Sequence, residues 1–124
     1  MNRTAQRPPV TFTFAKETMK KKYCGKWLIG EMEAWDKDFI DLMEPGHITI
    51  KSDGLGLLMF GAIQTDIDCR LEMVNDSERL DFTFNGIDEG DPICGRGWVE
   101  LKGDQLIGRI YIHLGDDSGF VAQK

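Results

Sequence analysis

The amino-acid sequence predicts an all-β fold: a single antiparallel up-and-down β-barrel of about eight strands, with a β-sandwich as the alternative. Apolar and polar residues alternate with a period of two from residue 27 onward, which is typical of strands that bury one face. Turn-forming residues interrupt this alternation at short intervals, and no segment carries the apolar stripe of a long helix. Closing into a barrel satisfies every strand edge, whereas a sandwich leaves some edges exposed.

Eight strands are expected in chain order. The first covers residues 27–35, and a short helix or loop at 36–43 leads to Pro45-Gly46. The others are expected at residues 47–51, 55–63, 66–74, 80–84, 97–102, 106–114 and 120–122. Asn75 and Asp76 predict a tight turn, because these residue types tolerate left-handed backbone conformations. Asn85-Gly86 is expected to end a strand, and residues 87–94 are predicted to form a polar loop.

Charge divides the chain into a basic arm over residues 1–24 and a barrel domain over residues 25–124. Residues 1–26 hold seven cations and one anion, whereas the rest of the chain holds eight cations and twenty anions. Val10, Phe12 and Phe14 alternate with threonines, which allows one extra strand in the arm. The arm is expected either to fold back on the acidic body or to bind an acidic partner.

Composition excludes several classes of protein. A chain of 124 residues, 41% hydrophobic and 29% charged, fits one globular domain. The net charge of −6 disfavours nucleic acid as a partner. The longest uncharged apolar run, residues 55–63, is far shorter than the roughly 20 residues of a membrane span. With no signal peptide, no CxxC motif and three widely spaced cysteines, we expect a cytoplasmic protein with reduced thiols.

The candidate ligand site rests on the tryptophans, which all fall on the polar side of their predicted strands. On the first strand, Leu28 and Met32 are assigned to the core face and the odd-numbered residues to the other face. Since indole rings are costly to leave in water, the basic arm, a second subunit or a ligand should cover them. We expect the tryptophan-bearing faces to converge on a pocket. The candidate ligand-binding residues are Trp27, Glu31, Glu33, Trp35, Trp98, Arg109, Tyr111 and His113.

These residues support three hypotheses about function. The first is a non-enzymatic β-barrel that binds a small organic ligand, aromatic or cationic in part, because ring faces and carboxylates together suit cations. The second is an interaction or homo-oligomerisation module that uses the tryptophan face and the basic arm. The third is a proton-transfer enzyme, an isomerase or lyase, that uses Glu31 and Glu33 or His113. No nucleophile, metal or cofactor motif is present, so no catalytic residue, metal ligand or cofactor is assigned.

Two resemblances add to this picture. Gly25-Lys26-Trp27 resembles the G-x-W motif on the first strand of lipocalins, where an arginine from a late strand covers the tryptophan, a role that Arg109 matches. Longer segments resemble a group of small bacterial proteins without an assigned activity, which implies a stand-alone bacterial domain. Those segments are residues 32–36, 88–92, 95–98 and 115–120.

Overall fold

The computed structural model describes residues 19–124 and confirms the expected closed barrel. Eight antiparallel strands pair in chain order, and the first pairs with the last, which excludes the sandwich. The strands are β1 (Gly25–Met32), β2 (His47–Ile50), β3 (Leu55–Phe60), β4 (Ile63–Val74), β5 (Ser77–Asp88), β6 (Asp91–Lys102), β7 (Gln105–Ile112) and β8 (Asp117–Gln123). The extra strand in the arm falls on residues 1–18, which lie outside the described residues.

Two short helices accompany the barrel within residues 19–124. A 3₁₀ helix, Lys21–Tyr23, precedes β1, and an α-helix, α1 (Lys37–Ile40), lies in the connection between β1 and β2. Asp36 begins α1 as its N-cap, because its side chain accepts a hydrogen bond from the Phe39 N–H at 3.0 Å. Neither helix in residues 19–124 has the length and apolar character needed to cross a bilayer.

The hairpin connections are tighter than the sequence suggested. Asn75 and Asp76 form the predicted turn with φ values of 51° and 65°. The predicted polar loop at residues 87–94 is wrong, because only Glu89 and Gly90 turn there and the flanking residues pair as strands. Gly86 does not end β5: a Cβ at this position would lie 2.0 Å from the Gln64 carbonyl oxygen, so the glycine permits close strand contact.

Side chains fill the barrel interior. Eight strands enclose a space that side chains of ordinary size can occupy completely. Thr65 is one of the few polar residues inside, and its hydroxyl donates to the Leu58 carbonyl oxygen at 2.8 Å. The interior is therefore a hydrophobic core rather than a ligand-binding cavity. Its fully buried members include Ile29, Ile48, Ile50, Leu58, Cys69, Leu80, Val99, Leu106 and Ile110.

A bulge in β1 reverses the face assignment made from the sequence. The register with β8 shifts between Ile29 and Glu31, so the alternation of inward and outward residues changes phase. Before the bulge, Trp27 and Ile29 are buried and Leu28 is 45% exposed; after it, Met32 is buried. The core assignment of Leu28 is therefore wrong, and that of Met32 is correct.

The helix end of the barrel, where α1 lies, is closed by packing. The Trp35 ring lies 5.9 Å from the Phe39 ring and 5.2 Å from the Phe60 ring, measured between centroids. Ile40 is fully buried beneath α1, and its carbonyl oxygen accepts the Gly61 N–H at 3.0 Å. Aromatic and aliphatic groups therefore exclude water at this end.

The N-terminal end, where the chain enters the barrel, is closed by Met19 and Tyr23, both buried. The Trp27 indole N–H donates to the Tyr23 carbonyl oxygen at 3.0 Å. The Tyr23 hydroxyl donates to Glu78 at 3.2 Å. Burial and the nearby Glu78 carboxylate raise the pKa of Tyr23 to about 12. Residues 19–24, expected to belong to the arm, thus include part of the barrel core.

Candidate functional site

The candidate site residues occupy separate places, so the expectation that the three tryptophans converge is wrong. Trp27 lies inside the barrel at the N-terminal end, and Trp35 packs on Phe60 at the helix end. Trp98 lies half-buried on the outer wall of β6. The bulge in β1 is the physical reason why Trp27 does not lie beside Trp98, because it places the Trp27 ring on the inner face while Glu31 points outward.

Four of the candidate residues do meet, in a groove on the outer wall that we call the Trp98 groove. Its walls include Glu31 and Glu33 from the β1 side and Trp98 and Arg109 from the β6–β7 hairpin, and its volume is about 470 Å³. Trp98 and Arg109 are directly opposite in the hairpin register. Gly119 forms part of the floor, where the lack of a side chain keeps the groove open.

Arg109 fixes the charge arrangement in this groove. Its Nη2 donates to Glu33 Oε1 at 3.1 Å and to Asp117 Oδ2 at 2.9 Å. The Gly119 N–H also approaches Glu33 Oε1, at 3.3 Å. The hydrogen bonds to Asp117 and then to Glu33 raise the pKa of Arg109 above its usual value. The guanidinium therefore ties the segment after β1 to β7 and to the start of β8.

Glu31 stands apart from this network. Its side chain is exposed, and no cation in residues 19–124 lies within ion-pair distance of it. The groove therefore presents one carboxylate held by Arg109 and one that is open to a ligand. Beside a tryptophan ring, an open carboxylate is suited to an organic cation, since the ring face and the carboxylate attract the same charge.

A second groove lies on the other side of Trp98, and we call it the arginine groove. It has a volume of about 230 Å³ and is lined by Arg70, Arg79, Arg96 and Trp98 among others. The Arg79 guanidinium carbon lies 5.0 Å from the Trp98 ring centroid. These arginines are not among the candidate residues predicted from the sequence. The signal was present, since Arg79 and Asp81, like Arg96 and Trp98, share one face of a strand.

Tyr111 and His113 lie in a third groove, of about 640 Å³, together with Cys94 and Arg96. The Arg96 guanidinium carbon lies 4.7 Å from the Tyr111 ring centroid. The His113 backbone N–H donates to the Cys94 carbonyl oxygen at 2.8 Å. These two candidates therefore share the outer wall with Trp98 but not its groove.

The remaining reactive groups are dispersed. Glu31 and Glu33 are both exposed, and Glu33 is ion-paired. His47, at the start of an expected strand, is buried in β2, and burial lowers its pKa. Within residues 19–124, no three His, Cys, Asp or Glu side chains cluster in a way that could hold a metal ion. The proton-transfer candidates Glu31 and Glu33 therefore lie in a different groove from His113.

Comparison with protein-family models, curated proteins and solved structures gives no significant match. The function of the protein is therefore inferred from the geometry of the outer wall and from the chemistry of the groups that line it. Among those groups, the acidic and aromatic lining of the Trp98 groove has the clearest ligand preference.

Proposed function

We propose that the protein is a non-enzymatic, lipocalin-like β-barrel that binds a small ligand, but on its outer wall rather than in its interior. The filled interior and the two closed ends support this choice of surface. The ligand is a small organic molecule with a cationic group, held in the Trp98 groove. The observation that carries the proposal is the meeting of Glu31, Glu33, Trp98 and Arg109 in that groove.

Each residue has a defined role in this proposal. Trp98 offers ring surface, and Glu31 supplies the open carboxylate. Arg109 holds the Glu33 carboxylate by a hydrogen bond, so that the Glu33 side chain does not occupy the ligand position. Three widely spaced cysteines without a CxxC motif support a reducing, cytoplasmic setting, and the resemblance to small bacterial proteins supports a bacterial source.

Titration with organic cations such as tetramethylammonium, choline and agmatine, followed by tryptophan fluorescence, tests the proposal. We expect one of them to change the emission of the wild type, and Trp98→Phe to abolish the change. Glu31→Gln should weaken binding about threefold to fivefold, the value of one exposed ion pair. Trp35→Phe is the matched control, because Trp35 lies at the helix end. An identical response in wild type and Trp98→Phe would contradict the proposal.

A second candidate function is oligomerisation, and a specific observation favours it. The outer wall of β1 and β3 exposes Leu28, Leu55 and Leu57 to 45%, 44% and 40%. These two strands flank β2, and exposed apolar side chains on one wall favour protein–protein contact. Light scattering after size exclusion tests this candidate. A dimer in the wild type that dissociates in Leu57→Lys would support it, and a monomer at all concentrations would overturn it.

A further inference from the structure

Trp98 borders two grooves that differ in charge. Its ring forms a wall of both the Trp98 groove, which contains Glu31 and Glu33, and the arginine groove, which contains Arg79 and Arg96. A ligand that lies across Trp98 therefore has Glu31 and Glu33 at one side and, at the other, three arginines interspersed with Asp68, Glu72 and Asp81.

Most charges along this surface already have a partner. Arg79 pairs with Asp81 at 2.9 Å, and Arg70 lies 3.6 Å from Asp68. Arg109 is paired with Glu33 and Asp117, as described above. The Arg79–Asp81 and Arg70–Asp68 pairs are each neutral and contribute little net attraction for a charged ligand. Arg109 with its two carboxylates carries one net negative charge, on the side where a cationic group would bind.

Arg96 and Glu31, which carry opposite charges, differ from these paired groups. Within residues 19–124, the Arg96 guanidinium has the Tyr111 ring as its neighbour and no carboxylate within ion-pair distance. Glu31 likewise has no cationic partner among the described residues. Arg96 precedes Trp98 by two residues on the same face of β6, and Glu31 lies across the Trp98 groove on β1. A ligand that spans Trp98 can therefore pair with both charges at once.

We infer that the ligand is a zwitterion of oligopeptide size, which places its cationic group at Glu31, its anionic group at Arg96 and its middle on the Trp98 ring. This inference rests on the proposed function and names the ligand class of the same site. Three strand spacings of about 4.8 Å separate β6 from β1, since β7 and β8 lie between them. The register places Glu31 level with Glu100, so Arg96 is also displaced by four residues, about 13 Å, along β6. The two backbone positions therefore lie about 20 Å apart, and because both side chains line grooves bordered by Trp98, an extended peptide of about five residues fits between the charged groups.

Free-ended pentapeptides are the appropriate probe, and glycyl-glycyl-phenylalanyl-glycyl-glycine supplies one aromatic ring between an ammonium and a carboxylate. Three matched peptides carry an acetylated amino end, an amidated carboxyl end, or both. Binding is followed by the indole N–H signal of Trp98 in ¹H–¹⁵N spectra, assigned with Trp98→Phe. We expect each blocked end to weaken binding about threefold to fivefold and both together about tenfold or more.

Variants connect each end of the peptide to one residue. In Glu31→Gln, acetylation should no longer weaken binding, and in Arg96→Gln, amidation should no longer do so, because each pair is then already broken. Arg70→Gln is the matched control in the same groove, since Arg70 is already paired, and it should leave both effects intact. Raising the salt concentration should weaken the free peptide more than the doubly blocked one.

The outcomes separate the inference from the proposed function. If the doubly blocked peptide binds as tightly as the free peptide while organic cations still perturb Trp98, the zwitterion inference is overturned and the binding function stands. If neither peptides nor organic cations perturb Trp98, both are overturned. Loss of the end effects in the two variants, with the Arg70→Gln control unchanged, establishes the inference.

Discussion

The two ends of the barrel are closed by different chemistry. The helix end is sealed by packing, in which the Trp35, Phe39 and Phe60 rings cover the interior beside buried Ile40. At the N-terminal end, a single carboxylate organises the surroundings of the buried Tyr23 ring: Glu78 accepts from its hydroxyl and pairs with two lysines. The lysines are Lys20 and Lys22, and the Lys22 ion pair measures 2.7 Å.

This difference has a consequence for both stability and function. Packing does not depend on protonation, whereas the ion cluster around Glu78 loses its attraction once the carboxylate is protonated. Yet both ends exclude ligands from the interior, so the two closures together direct any binding to the outer wall. Substitutions at the helix end should therefore cause a loss of stability that does not depend on pH, and substitutions at the N-terminal end should cause one that does.

The largest effect is expected at the helix end, from Ile40→Ala. Removing three carbon atoms from a fully buried side chain leaves a cavity that the surrounding rings fill only in part. We expect the free energy of unfolding to fall by about 2–4 kcal/mol. The loss should be the same at pH 7 and pH 4. Urea unfolding followed by circular dichroism measures it.

Leu42→Ala is the matched control for this prediction. Leu42 belongs to the same β1–β2 connection but is 59% exposed. Its truncation should change the free energy of unfolding by less than about 0.5 kcal/mol. Equal losses for the two variants would show that α1 does not seal the barrel.

At the N-terminal end, Glu78→Gln should give a smaller, pH-dependent loss. Hydrogen bonds from Lys20 and then Lys22 lower the pKa of Glu78 to about 2, from 4.5. A lowered pKa stabilises the folded state above pH 4.5, and this contribution disappears as the pH falls towards 2. Because the lysines are exposed, we expect about 1 kcal/mol at pH 7. Urea unfolding at pH values from 7 to 2 measures the decline.

Glu72→Gln provides the comparison for Glu78→Gln. Glu72 lies in the same β4–β5 hairpin, and it has no ion pair within residues 19–124. Its substitution should have little effect at any of these pH values. A Glu78→Gln loss that stays constant down to pH 2 would mean that the lysine cluster does not stabilise this end.

Strands with an unbroken alternation were predictable from the sequence. In β4, Ile67 and Cys69 point inward while Asp66 and Arg70 point outward, as a period of two requires. Once about eight such strands are counted, the sheet is expected to close, because closure pairs the backbone N–H and C=O groups of the edge strands. The fold class therefore depends on local patterns that the sequence carries directly.

The candidate site was less predictable, because it depends on local irregularity and on register. Gly30 is compatible with a bulge, since isolated glycines in strands often mark one, but it does not fix the register, and the bulge decides which way Trp27 points. Tyr23 lies in a run of lysines that resembles a solvated arm, although its ring is buried. The pairing of Arg79 with Trp98 spans two strands, so it emerges only once the hairpin register is known.

The smallest effect is expected from Asp36→Ala, which removes the N-cap of α1 and leaves the packing of the helix end intact. The Asp36 carboxylate accepts the Phe39 N–H at 3.0 Å, so its loss exposes one backbone donor to water. A four-residue helix held by Ile40 should tolerate this change, at a cost of about 0.5 kcal/mol. Asp38→Ala, in the first turn but without a cap bond, should cost less. If Asp36→Ala destabilised the protein as much as Ile40→Ala, the helix end would depend on its cap rather than on its packing, and the contrast between the two ends would fail.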